Sequence, residues 1–147
     1  MAVGAVEQNK QAIRQILAAY EEGKLEPLLG ILHEDIDWFS NAPESHYRFG
    51  GHHKGKAALR EGLSFLANEY TIHSYTVREL IGEDNVVWAT SDVVATHRAT
   101  AMRVSAVLVN RWQFDGDKVV AFTEFFDTAG VLVQEGRIAG DLSRAMA

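Results

Sequence analysis

At 147 residues the chain has room for one domain with a substantial core and none for a second. A hydrophobic share of 47% against a charged share of 23% excludes a disordered chain, and a formal net charge of -6 without any basic patch excludes nucleic acid as the expected partner. The absence of cysteine excludes a disulfide framework, a thiolate nucleophile and a cysteine-based zinc site.

The N-terminal "MAVGAVEQNKQAIRQ" turns polar too early for a signal peptide or a membrane span, so the expected compartment is the cytoplasm. Ile13, Ile16, Leu17 and Tyr20 then recur at intervals of three and four, which predicts an amphipathic helix from Val6 to Tyr20 ended by Gly23. "LEPLLGILHED" predicts a short second helix, with Leu25, Leu28, Leu29 and Leu32 on one side and Pro27 in the first turn. "IDWFSNAP" reads as a strand closing at Pro43. The polar, aromatic, Gly-rich "ESHYRFGGHHKG" reads as a loop or irregular hairpin over the mouth of a cavity. Leu59, Leu63 and Leu66 predict a third helix from about Lys56 to Asn68.

After Tyr70 the period falls from 3.6 to 2, predicting strands over about 71–81, 85–97, 102–114 and 118–127. "GEDN" and "FDGDK" supply hairpin turns between them. The Gly-punctuated tail from Thr128 is expected to be only partly ordered, with the domain core at about 6–133. Three helices followed by an antiparallel meander make an α+β fold with helices on one face of a curved sheet.

In the last strand, "VVAFTEFFDTAGVL" sets Glu124 between Phe122 and Phe126 on one face. A carboxylate among phenylalanines is costly to bury without a partner, which makes it a candidate proton carrier. His46, His52 and His53 lie near Glu44 in one loop, but no spacing places them on one rigid element, so no metal site is expected. His53 is expected at the pocket mouth.

The order of elements, together with "GKLEPLLGILHEDIDW", "GGHHKGKAAL" and "NRWQFDGDKVVAFTEFFDTAGV", resembles the SnoaL-like branch of the nuclear transport factor 2-like superfamily over roughly residues 6–133. The resemblance implies a cone-shaped, curved antiparallel or mixed sheet closed by the helices around one apolar pocket, and a homodimer through the outer sheet face. Applied strand by strand, it turns Glu124, Phe122 and Phe126 inward, with Trp88, Thr90, Asp92 and Val94 on one neighbour. Leu108, Asn110 and Trp112 face inward on another, Phe39 and Asn41 on the first strand, and Tyr20 reaches in from the first helix.

Ketosteroid isomerases of this fold need an Asp base with Tyr and Asp oxyanion donors, and the matching positions here carry Asn41, Ile16 and Asn110. The limonene epoxide hydrolase pattern keeps Asn41, Asp92 and an acid at Glu124 but loses its Tyr to Phe39 and its Arg to Thr90. Arg48 is the candidate replacement for that missing cation. Cyclases of the SnoaL type need only one desolvated carboxylate, which Glu124 supplies.

The resulting expectation is a cofactor-free isomerase, cyclase or hydrolase acting on a small apolar compound. Glu124 and Asp92 are the catalytic candidates. Tyr20, Phe39, Asn41, His53, Trp88, Asn110, Trp112, Phe122 and Phe126 are the ligand-binding candidates. The alternative is a noncatalytic binding or dimeric interaction module of the same fold.

Overall fold

The computed structural model describes residues 4–138. Helix α1 (Ala5–Glu21) follows the predicted stripe, burying Ile13, Ile16 and Leu17, and the chain reverses at Gly23, whose φ of 81° only glycine adopts easily. Helix α2 (Glu26–Ile31) is shorter than the sequence predicts, because strand β1 (Leu32–Ser40) begins at Leu32. The short strand β2 (Gly51–Lys54) emerges from the expected irregular hairpin and pairs antiparallel with β1. Helix α3 (Lys56–Glu69) follows directly.

The meander then runs through β3 (Tyr70–Glu83), β4 (Val86–His97), β5 (Met102–Asp115) and β6 (Lys118–Phe125). Gly116, at φ 61°, makes the last hairpin turn. The six strands form one sheet in the order β2-β1-β6-β5-β4-β3, antiparallel except for the β1–β6 pair. Helix α1 packs on β3 and α3 on β1, so the helices cover one face of the sheet. Their leucines and isoleucines meet Trp38, Trp112 and Phe122 from the sheet in one core.

At the start of the Gly-punctuated tail, residues Thr128–Gln134 form a helix, α4. Asp127 caps it, its side chain accepting from the Gly130 amide at 2.9 Å. Val131 and Leu132 bury against Tyr47, Ala42 and Val104 in a second, smaller cluster. The helix is too short to announce itself by period, and tertiary burial makes it. The remainder of the predicted tail, 139–147, lies outside the described residues.

Candidate functional site

Between α1, α3 and the inner face of the sheet lies a cavity of about 150 Å³. Its floor is built by cross-strand pairing. Trp38 on β1 stands opposite Phe122 on β6, Phe122 opposite Trp112 on β5, and Glu124 opposite Asn110, so all five side chains share one face. Trp38 stacks on Phe122 with centroids 3.7 Å apart, and Trp112 meets Phe122 edge-on at 4.6 Å. Tyr20 from α1 and Tyr75 from β3 close the opposite wall, edge to face at 5.9 Å.

Glu124 is the one carboxylate among the residues lining this space, and no Lys or Arg joins it. The Asn110 amide, 1% exposed, donates to Glu124 Oε1 at 3.1 Å. Tyr75 OH in turn donates to Asn110 Oδ1 at 3.5 Å, a long contact that favours the amide orientation presenting NH₂ to the acid. Among the described residues Glu124 Oε2 has no hydrogen-bond partner, and it is not sealed from the cavity. Burial pushes the Glu124 carboxyl from its ordinary 4.5 up to about 7, against the opposing pull of the Asn110 hydrogen bond. Burial, and then the Glu124 charge, raise the Tyr20 and Tyr75 hydroxyls, so both stay protonated donors.

Toward the mouth the lining passes to Tyr47, Phe49, Tyr70, Phe126, His53 and Val131. His53 Nε2 donates to the Gly50 carbonyl at 2.9 Å. Beneath α4, Glu135 is fully buried, accepting from Tyr70 OH at Oε1 and from Arg137 at Oε2, the latter at 3.1 Å. Arg137 also lies 5.1 Å over the Tyr47 ring and donates to the His46 carbonyl. This network fixes the wall of the mouth. Elsewhere, no three His, Asp or Glu side chains among the described residues converge on a point that would hold a metal ion.

Of the residues expected in the site, Tyr20, His53, Trp112, Phe122, Glu124 and Phe126 line the cavity, and Asn110 stands just behind Glu124. Four do not. Strand β4 has the opposite parity to the expected one: Ala89 pairs with Asn110 and Ser91 with Leu108, so Val87, Ala89, Ser91, Val93 and Ala95 share the inner face. Trp88 and Asp92 therefore face outward, Trp88 at 40% exposure and Asp92 ion-paired with the exposed Arg78. Arg48, the expected substitute cation, lies instead 4.4 Å over the Phe65 ring.

Phe39 also faces outward, at 40% exposure, because its neighbour Trp38 takes the inner position. Asn41 is exposed and clamps the backbone past the end of β6, donating to the Phe126 carbonyl at 3.0 Å and accepting from its amide at 3.2 Å. Its role here is to join β1 to β6.

Sequence reasoning missed Trp38, Tyr75, Tyr47 and Tyr70. Trp38 has a signal in "EDIDWFS", where Asp35 and Asp37 alternate with Ile36, Trp38 and Ser40. Tyr75 has none, because irregularities in β3 between Ile72 and Ser74 and between Val77 and Glu79 each reverse the parity. The Tyr75 amide bonds to Glu21 on α1 at 2.8 Å.

The family model of the SnoaL-like domain matches residues 13–122. No curated protein matches the sequence. Among solved structures, the chain is similar to a candidate isomerase from Rhodopseudomonas palustris, at 20% identity and TM-score 0.77, covering 94% of this chain and 100% of that one. It is similar to an NTF2-like protein from Burkholderia xenovorans, at 22% identity and TM-score 0.76, covering 89% and 98%. A Catenulispora acidiphila protein with a ketosteroid isomerase-like fold, solved in complex with trimethylamine, aligns at 12% identity and TM-score 0.72, covering 85% and 92%. At these identities the likeness is one of fold.

Proposed function

The chain belongs to the SnoaL-like domain family, and from that premise we propose that it binds a small, mostly apolar organic molecule and moves a proton on it without a cofactor. The observation that carries this reading is Glu124, alone at the floor of an aromatic cavity with its carboxyl raised to about 7. A group that titrates near neutrality both accepts and returns a proton at working pH. Its free Oε2 takes a proton from an acidic C–H, the Asn110 amide holds Oε1, and the carboxylic acid so formed returns the proton to carbon or oxygen. The Tyr20 hydroxyl is the donor available to a ligand oxygen. Asp92, turned outward, has no part in this chemistry.

Catalysed exchange of the α-hydrogens of cyclohexanone for deuterium, followed by NMR at pH 7, tests the reading. Glu124→Gln should lower the exchange rate by about 10²- to 10⁴-fold while cyclohexanone affinity stays within a few fold. An unchanged rate in the variant would end the proton-carrier role.

The outward position of Asp92 favours a second reading, a noncatalytic ligand binder, because the pair of inward acids that would argue for chemistry is reduced to one. In that case cyclohexanone binds and no exchange above the buffer rate occurs.

Under either reading we propose a homodimer through the outer sheet face. One cross-strand row there runs Ile81, Trp88, Arg111, Thr123 and Phe39, with Phe125 and Val107 nearby, and its large apolar members are exposed. Trp88→Glu should yield monomers in sedimentation. No described helix is long and apolar enough to cross a membrane, and a cytoplasmic site of action belongs to the same proposal.

A further inference from the structure

The charge inventory of the cavity narrows what it accepts. Glu124 is the one acid lining it, no Lys or Arg balances it, and the remaining titratable groups on the lining are tyrosines and His53 at the mouth. Around the acid, α1 contributes Tyr20 and β3 contributes Tyr75, whose hydroxyls donate hydrogen bonds but carry no positive charge. Strand β5 contributes the neutral Asn110, and β1 contributes Trp38 and Ser40. Helices α3 and α4 add only uncharged side chains to the lining. An anionic ligand meets no Lys or Arg side chain on this lining.

The opposite holds for a cation. The lining includes the rings of Trp38, Phe122, Trp112, Tyr20 and Tyr75, and the electron-rich face of an aromatic ring attracts positive charge. Glu124 lines the same space, and among the described residues its Oε2 has no hydrogen-bond partner. A carboxylate held in an apolar site without a counter-charge is unstable relative to one that has it, and an ammonium group supplies that charge. Asn110 donates to Oε1 and leaves Oε2 as the one acceptor an N–H would reach.

We propose that the cavity binds a small organic ammonium ion, a protonated amine on a single ring or a short hydrocarbon, with its nitrogen on Glu124 Oε2 and its carbon body among the aromatic rings. The size follows from the cavity, whose volume of about 150 Å³ is of the order that holds one benzene ring. The inference is independent of the catalytic reading, because an amine in this position occupies the proton-transfer site and makes an inhibitor of any proton transfer there.

The linkage has a definite sign. In the empty protein Glu124 titrates near 7, so below that pH it is protonated and an arriving ammonium must displace the proton. Ammonium affinity therefore rises about tenfold per pH unit up to about 7 and then levels, until the amine itself loses its charge.

Three probes of nearly one shape test this in the intact protein: benzylamine as the cation, benzyl alcohol as the neutral form and benzoate as the anion. Calorimetry at pH 8 should rank benzylamine at least tenfold above benzyl alcohol, with benzoate weakest. At pH 5 the preference of the cation over the alcohol should vanish. Glu124→Gln should erase it at every pH while leaving benzyl alcohol within a few fold, and should that variant fold poorly, the pH comparison in the unaltered protein separates the same outcomes. Benzyl alcohol binding as tightly as benzylamine at pH 8 would overturn the proposal and leave the proton-carrier reading intact. Binding of benzylamine without any deuterium exchange on cyclohexanone would do the reverse. If neither probe bound, both would fall.

Discussion

The floor and the mouth of the cavity each hold a glutamate, the partly buried Glu124 and the fully buried Glu135, and the two are treated in opposite ways. At the mouth, Glu135 is fully buried, but Tyr70 and Arg137 take both of its oxygens. At the floor, Glu124 has one neutral donor, Asn110, and a second oxygen left to the cavity. A paired acid in a protein interior serves the fold, because its charge is answered by groups that never leave. An acid left half-satisfied at the bottom of an apolar space lowers stability, and so it is a place to look for a ligand.

Removing each acid should therefore act with opposite sign. Glu135→Ala strands Arg137 and the Tyr70 hydroxyl and should destabilise the protein by about 3 kcal/mol in urea unfolding, discounted from the fully buried case because Arg137 stays partly exposed. Glu124→Gln should stabilise it at pH 8 by up to about 3 kcal/mol and leave it unchanged at pH 4. The sign follows from the raised folded pKa, from 4.5 to about 7: the native state binds the extra proton, so its full stability is present below 4.5 and is lost as pH rises through 7. A loss of stability in Glu124→Gln at pH 8 would erase the distinction between the two acids.

Asn110→Ala should widen the contrast, since the amide is the one group pulling the acid back toward its ordinary value. Its removal should raise the Glu124 carboxyl further, by on the order of one unit in an NMR titration. The smallest effect is expected outside the cavity. Asp92→Asn removes an ion pair whose side chains are 40% and 55% exposed, Asp92 and Arg78 respectively, and it should change stability by under about 1 kcal/mol. It should leave the Glu124 titration where it is.

Much of this molecule is legible in its residues, and the limits follow from what alternation encodes. The three-four stripe of α1, the change of period after Tyr70 and the Asp115–Gly116 turn all appear where local chemistry predicts them. Glu124 stands out because Phe122 and Phe126 flank it at a spacing of two. Strand β4 gives no such guidance: in "VVWATSDVVATH" apolar and small residues occupy both faces, so the pattern does not say which face turns inward. The expected direction, taken from the resemblance, put Asp92 in the cavity, and the pairing of Ala89 with Asn110 puts it outside.

The kinds of elements, their order and the presence of one acid among aromatic side chains are written in the chain itself, because helix and strand periods and turn residues act over a few neighbours. The parity of β1 and β4, the phase shifts that bring Tyr75 to Asn110, and the folding of α4 over the mouth arise only once distant segments meet. Each of these depends on a register between such segments, and a register is a property of the pair of strands rather than of either one.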